Sequence, residues 1–339
     1  MYHSRLKGTH YEAGFKYGSL LRKNGMVIKG SPTFALTEER KRFAKDCIPI
    51  YEKYYPQIAE EIVGMADGQG EAPDELFTIL YSIYCFTLPN HCTCLAYSKD
   101  GVTFFGRNSD FLVSIEKYNT NCLYALKGAL SFNGNTTAYI QMEDGVNEAG
   151  LAAGLTFAYP HIRKPGLNAG MLLRYIMENC RSVKEALEAL QTLPIASSQG
   201  FTFADSSGEM AVAECNSEAI HIIRPRVNFA GMQYIACANN FTSKEMAAWR
   251  TPAGVDDWRA DERYAVAMDA LEKHGGNCDY SLAADILSGK YGFMCQYNRK
   301  TNADTVWSVI YDLSGRKIHR SEGNPSRKGY KEDTRRITK

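Results

Sequence analysis

The chain has 339 residues, enough for one large domain or two ordinary ones, and its 45% hydrophobic and 23% charged content is that of a globular protein with a sizeable core. A formal net charge of +1 gives no basic field for nucleic acid or an anionic membrane. No stretch nears the roughly 20 consecutive apolar residues a membrane span needs, and ten scattered cysteines without a CxxC pair argue against a zinc site, a redox motif or a disulfide scaffold.

Taken in order, MYHSRLKGTHYEAGF lacks the apolar stretch of a secretory signal, and with the cysteine pattern it leads us to expect a reducing cytoplasm and mostly buried thiols. A turn at Gly8-Thr9 leads into a helix over Tyr11 to Arg22, residues 24 to 36 read as loop, and a helix capped at Thr37 runs to about Tyr55. After Pro56 a helix resumes over Gln57 to Ala66 and stops at Asp67-Gly68, where Gly68-Gln69-Gly70 reads as a plain turn. A third helical pattern spans Pro73 to Thr87. At Cys92 the texture changes to strands, over 92–97, 102–106, 121–127, 136–142 and 150–157, with turns at Asp144-Gly145 and Glu148-Ala149-Gly150. Two helical pieces fill 169 to 193, with Ser182 and Glu185 set for a capping box. A hairpin over 201–215, strands at 218–223 and 233–238, helices at 259–273 and 280–287, and strands at 305–312 and 316–319 complete the chain. The basic tail from Arg327 to Lys339 reads as frayed and solvated. Strand pairs and helix pairs alternate as blocks rather than as βαβ units, so an α+β fold with two packed sheets between helical layers is expected.

The familiar catalytic motifs are missing: there is no GxSxG elbow, phosphate-binding loop, HExxH or full GxGxxG. What stands out is His91 to Phe111, which reads as a hairpin turning at Ser98-Lys99-Asp100-Gly101. Antiparallel pairing brings the start of one strand beside the end of the other, so Cys92, Arg107 and Asp110 can meet at one end of a sheet. A thiol needs a base. If the chain is cut before Cys92, its own α-amine serves, with a pKa of about 7.7–8.0. Asp110 would orient that amine, and Arg107 would either hold Asp110 or lower the thiol pKa. Two other readings stay open: an uncleaved Cys/His hydrolase using His161 or His221, and a non-enzymatic protein that binds an acylated ligand.

Cys92-Thr93 followed by Gly106-Arg107-Asn108-Ser109-Asp110-Phe111 resembles the start of the mature chain in N-terminal nucleophile cysteine hydrolases, the group of choloylglycine hydrolase, penicillin V acylase and acid ceramidase. KGTHYEAGFKYGSLL (7–21) and EEIVGMADGQG (60–70) resemble the pro-segment of a closer relative, the acyl-coenzyme A:6-aminopenicillanic acid acyltransferase family. GVNEAGLAAGLTF (145–157), LLRYIMENCRSVKEALEALQTLP (172–194), FADSSGEMAVAE (203–214), ANNFTS (238–243), DERY (261–264) and TVWSVIYDL (305–313) extend the likeness over nearly the whole chain.

The resemblance implies a four-layer α-β-β-α sandwich, a pro-segment over 1–91 and a catalytic unit over 92–339, in one integrated globule. It implies Cys92 as nucleophile, Asp110 as the carboxylate orienting its amine, Asn239 as an oxyanion donor, and Arg263 as support for the nucleophile's surroundings. Arg107 falls on a position that is Arg in the bile-salt hydrolases, and Thr156 where relatives carry a second oxyanion contributor. His91 stands where acyltransferase relatives have Gly before the cut. The expected protein is a self-processing amidohydrolase or acyltransferase that needs no cofactor or metal. It would form a two-fragment heterodimer, with higher oligomers open, acting on an N-acyl amine, acyl amino acid or β-lactam-like substrate.

Overall fold

The structure, a computed structural model, describes residues 1–26, 28, 35–86 and 90–335. It opens with β1 (Tyr2–Gly8) and the helices α1 (His10–Lys23), α2 (Glu38–Tyr54), α3 (Pro56–Gln69) and α4 (Pro73–Ser82). A run of strands follows: β2 (His91–Lys99), β3 (Val102–Leu112), β4 (Thr120–Leu126), β5 (Phe132–Thr136), β6 (Asp144–Asn147) and β7 (Ala152–Phe157). Next come α5 (Ala169–Asn179), α6 (Val183–Thr192), β8 (Gln199–Ala204), β9 (Met210–Cys215), β10 (Ile220–Ile223), β11 (Arg226–Val227) and β12 (Gln233–Cys237). The chain closes with α7 (Ala260–His274), α8 (Tyr280–Leu287), β13 (Ala303–Asp312), β14 (Lys317–Ser321) and β15 (Lys331–Glu332).

The strands form two sheets, of eight in the order β1-β4-β5-β6-β7-β8-β9-β10 and of seven in the order β11-β12-β2-β3-β13-β14-β15. Cys94, Ala96 and Phe105 of the second sheet pack on Ala152, Ala204 and Val212 of the first. On the outer face of the first sheet, Tyr124 and Phe132 share a core with Ile62, Leu173 and Leu190 of the helices. On the outer face of the second, Leu95 and Tyr97 pack on Leu271 and Ile286 of α7 and α8. The result is the four-layer α-β-β-α sandwich expected. At its centre, β2 and β3 form a two-residue hairpin whose Asp100 (φ 52°) and Gly101 (φ 77°) both take left-handed backbone, which the Asp-Gly pair favours.

Several elements differ from the sequence reading. Residues 2–8 form a strand, β1, parallel to β4, because Ser4 and Leu6 alternate inward while a polar run hides the pattern. The strand expected over 136–142 sits earlier, at β5, and Ile140 and Met142 are buried in a loop instead. Asp144-Gly145 is not a turn but the start of β6, a strand buried at every position. The tail from Arg327 is tied down: Arg327 pairs with Asp304, Tyr330 bonds Ser308 at 2.6 Å, and Lys331–Glu332 forms β15. The third helix stops at Ser82, with Tyr84 in left-handed backbone at φ 67°, and Thr87 lies outside the described residues, as does most of the 24–36 loop.

Gly68 is likewise no turn; it lies inside α3, which Gly70 terminates in left-handed backbone at φ 73°. The reason is the crossing of α1 and α3, where Gly14 and Gly18 face the backbone of Glu61 and Met65, and Gly64 and Gly68 that of Tyr11 and Phe15. A Cβ on Gly14 would lie 2.0 Å from the Glu61 carbonyl oxygen, and one on Gly64 would lie 2.2 Å from that of Tyr11. Backbone on backbone leaves no flexible atom to yield. Gly64→Ala is therefore expected to lower stability by about 1–3 kcal/mol in urea unfolding, while Gly276→Ala, with nothing within 4 Å, should stay within about 0.5 kcal/mol of the parent.

Candidate active site

Strand pleating decides what meets at Cys92. In the β2–β3 ladder His91 lies opposite Asp110, Cys92 opposite Ser109, and Cys94 opposite Arg107. Successive residues face opposite sides, so Cys92, Cys94, Arg107 and Ser109 point to the first sheet, while His91, Thr93, Asn108 and Asp110 point to α7 and α8. Thiol and guanidinium thus share one face, and Asp110 approaches from the other.

On the inner face Arg107 donates from Nη2 to Cys92 Sγ at 2.7 Å. Its other N–H groups are held by Asp144 Oδ2 at 3.0 Å, Leu155 O at 3.2 Å and Glu143 Oε2 at 3.4 Å. Asp144 is fixed in turn by Trp307 Nε1 at 3.0 Å and Tyr311 OH at 2.7 Å. Glu143 accepts from Thr137 Oγ1 at 2.6 Å and Ser109 Oγ at 3.3 Å. A buried arginine held on all sides is a pre-oriented donor, and its charge is compensated by two carboxylates. Cys92 itself is fully buried. Burial pushes its thiol up to about 12; Arg107 pulls against this, and Glu143 and Asp110 add to it. In the intact chain the thiol is therefore protonated at neutral pH.

On the outer face, backbone groups of Cys92 are gripped from two sides. Its N–H donates to Asn239 Oδ1 at 2.7 Å, and its carbonyl accepts from Arg263 Nη1 at 2.7 Å. Arg263 also holds Thr93 Oγ1 at 2.7 Å and Asn239 Oδ1 at 2.9 Å, linking α7 to the strand. Asn239 Nδ2 donates to Phe157 O at 2.8 Å. Asp110 is buried and accepts from Thr305 Oγ1 at 2.6 Å and Tyr297 OH at 3.1 Å, with Arg263 Nη1 at 3.7 Å. Burial lifts its carboxyl to about 6, against the pull of Arg263, Thr305 and Tyr297. His91 stacks on Trp258 with ring centroids 4.7 Å apart. Burial, with Arg263 adding to it, drives its imidazole down to about 3, so it is neutral.

The structure thus gathers Cys92, Arg107, Asn239, Arg263, His91 and Asp110 around one peptide. The Cys92 N–H goes to Asn239 Oδ1 rather than to Asp110, because Asp110 pairs across from His91. Thr156 is not drawn in: its hydroxyl donates to Gly200 O at 3.3 Å and lies 3.1 Å from Cys237 Sγ. His161 bonds Arg250 O and His221 faces Glu245, so neither hydrogen-bonds the thiol. Sequence reasoning missed Glu143, Asp144, Trp258, Tyr297 and Thr305. The one local sign of the first two is the adjacent acidic pair Glu143-Asp144, of which Asp144 reads with Gly145 as a turn. All ten cysteines are free.

The model of the acyl-coenzyme A:6-aminopenicillanic acid acyl-transferase family matches residues 97–327, about two thirds of the chain. The chain belongs to this family. The matched stretch contains Arg107, Asp110, Glu143, Asp144, Asn239 and Arg263, and Cys92 stands five residues before it. Membership places the protein in a family described by acyl transfer. Among solved structures it is similar to an N-acylethanolamine-hydrolyzing acid amidase ortholog of Caenorhabditis elegans, at 17% identity and TM-score 0.49 over 66% of this chain and 93% of that one. It is also similar to a mutant conjugated bile acid hydrolase from Clostridium perfringens, at 17% identity and TM-score 0.47 over 73% and 98%. Penicillin V acylase from Agrobacterium tumefaciens follows at 17% identity and TM-score 0.43 over 68% and 82%. No curated protein gave a match. Among the described residues no helix is long and apolar enough to cross a membrane.

Proposed function

We propose that the chain is a self-processing cysteine amidohydrolase or acyltransferase that cuts itself between His91 and Cys92 and then forms acyl-enzymes on the Cys92 sulfur. The observation that carries this reading is that Sγ, N–H and carbonyl of Cys92 are each held by a different side chain, Arg107, Asn239 and Arg263. In processing, Sγ attacks the His91 carbonyl carbon, the C–N bond breaks, and the thiol proton passes to the departing nitrogen. Water then hydrolyses the thioester and leaves Cys92 with a free α-amine beside its thiol.

That amine supplies the base the intact site lacks. Its pKa of about 7.7–8.0 suits proton transfer at neutral pH, where the buried thiol alone is inert. With substrate, Sγ attacks an amide or thioester carbonyl and the amine takes the thiol proton and passes it to the leaving group. Water completes hydrolysis, and an amine acceptor completes acyl transfer. The second N–H of Asn239 Nδ2 and a backbone N–H serve the oxyanion, and Asp110 and Asn239 orient the amine. Residues 1–91 then remain as a separate chain, joined to the rest through the sheet and helical layer they help to build.

Denaturing mass spectrometry of the purified protein should give two fragments divided at His91–Cys92, and the larger should gain one acyl mass from an activated thioester. A single full-length chain that takes up no acyl group would refute the reading, and would favour the protein that binds an acylated ligand without turning it over.

A further inference from the structure

We propose that the space now filled by the His91 imidazole is the subsite for the aromatic ring of the substrate's acyl group, and that the preferred acyl class is 3-arylpropanoyl. The inference rests on Cys92 acting as proposed above. In processing, the first acyl group that Cys92 carries is that of His91 itself. Its skeleton is a carbonyl, an α-carbon, a methylene and a flat ring. The site is therefore built around a 3-arylpropanoyl unit before any substrate arrives.

Three features fit the slot to a ring rather than to this imidazole. His91 is only 7% exposed, and its ring lies on Trp258 at 4.7 Å and 24° between planes. Trp258 continues into Tyr297 at 5.2 Å, and Tyr297 into Phe293 at 5.2 Å, an aromatic wall beside the nucleophile's strand. His91 Nδ1 is buried without a hydrogen-bond partner, so a nitrogen there is penalised and a carbon ring would not be.

The wall does not depend on His91 for its position. Trp258 and Arg259 take consecutive left-handed backbone at φ 53° and 61°, a conformation that persists only when surroundings enforce it. Arg263 enforces it, donating to Trp258 O at 2.9 Å and Asp257 O at 3.2 Å while it holds the Cys92 carbonyl. When His91 leaves, the indole stays in register with the nucleophile. Trp258 is half-buried and its loop runs along the surface, so the vacated slot lies next to solvent.

The test uses the full-length protein as purified, with N-acetylcysteamine thioesters of 3-phenylpropanoate and of heptanoate as donors. Acylation is read by mass on the Cys92 fragment, and kcat/KM by thiol release. The 3-phenylpropanoyl donor should be favoured by about tenfold, the scale of one good ring stack. Trp258→Ala should bring that ratio near one, and Trp258→Phe, which keeps a ring, should retain most of it. A ratio at or below one in the parent, or one that survives Trp258→Ala, overturns the subsite. Acylation by heptanoate without aryl preference sinks this proposal alone. No acylation by either donor sinks the Cys92 reading and this one with it.

Discussion

Cys92→Ala will remain a single full-length polypeptide and will lose amide hydrolysis by a factor on the order of 10⁴ or more, the scale seen when a nucleophile is removed. Both losses have one cause. In the proposed mechanism the sulfur that attacks the His91 carbonyl is the sulfur that attacks the substrate, and without the cut there is no free α-amine. The fold should survive, because Arg107 keeps its bonds to Asp144, Glu143 and Leu155 O when the thiol goes. Circular dichroism should therefore match the parent closely. Cys94→Ala is the control: Cys94 lies two residues on, on the same face of β2, and should still be cut. Hydrolysis that persisted in Cys92→Ala would overturn the mechanism.

Arg174→Met is expected to destabilise the protein by about 3–5 kcal/mol at pH 7, since it strands two buried carboxylates. Arg174 on α5 bonds Glu61 Oε2 of α3 at 2.7 Å and Glu178 Oε1 of its own helix at 2.7 Å, and all three are buried. His10 and Tyr55 add bonds to Glu178 at 3.1 and 2.6 Å. This network ties the first 86 residues to the rest. Burial pushes Glu178 up, yet Arg174, His10 and Tyr55 outweigh it and hold it at about 2; burial lifts Glu61 despite Arg174. The parent therefore keeps the Glu178 contribution above the unfolded value of about 4.3 and loses it as pH falls towards 2.

Without Arg174, burial raises both carboxyls above their unfolded values. The sign then inverts: the variant is best placed when they are protonated and loses stability as pH rises. The gap between parent and variant should narrow from pH 7 to pH 4 in urea unfolding. Arg174→Lys, which keeps a charge but cannot span both partners, should fall between them. A gap independent of pH would mean that the loss is one of packing alone.

Much of this was legible in the chain itself. The Asp100-Gly101 pair, the alternation around it and the block order of strands and helices determined a hairpin and an α+β layering, because turn chemistry and periodicity are local. Cys92, Arg107, Asn239 and Arg263 were also legible as a set, through the resemblance of their surroundings to one family. What lay beyond reach was set by contacts distant in sequence. β1 is a strand only because β4 lies beside it, and Gly68 is helical only because α1 crosses there. Asp144 reads as a turn residue until Arg107, Trp307 and Tyr311 surround its carboxylate.

The same division runs through the hairpin. Sequence alone brought thiol, guanidinium and carboxylate to one end of a sheet. The pleat, which turns residues three apart to opposite faces, and the packing of a helix layer on one side and a sheet on the other, put Arg107 on the sulfur and left Asp110 behind the strand with His91.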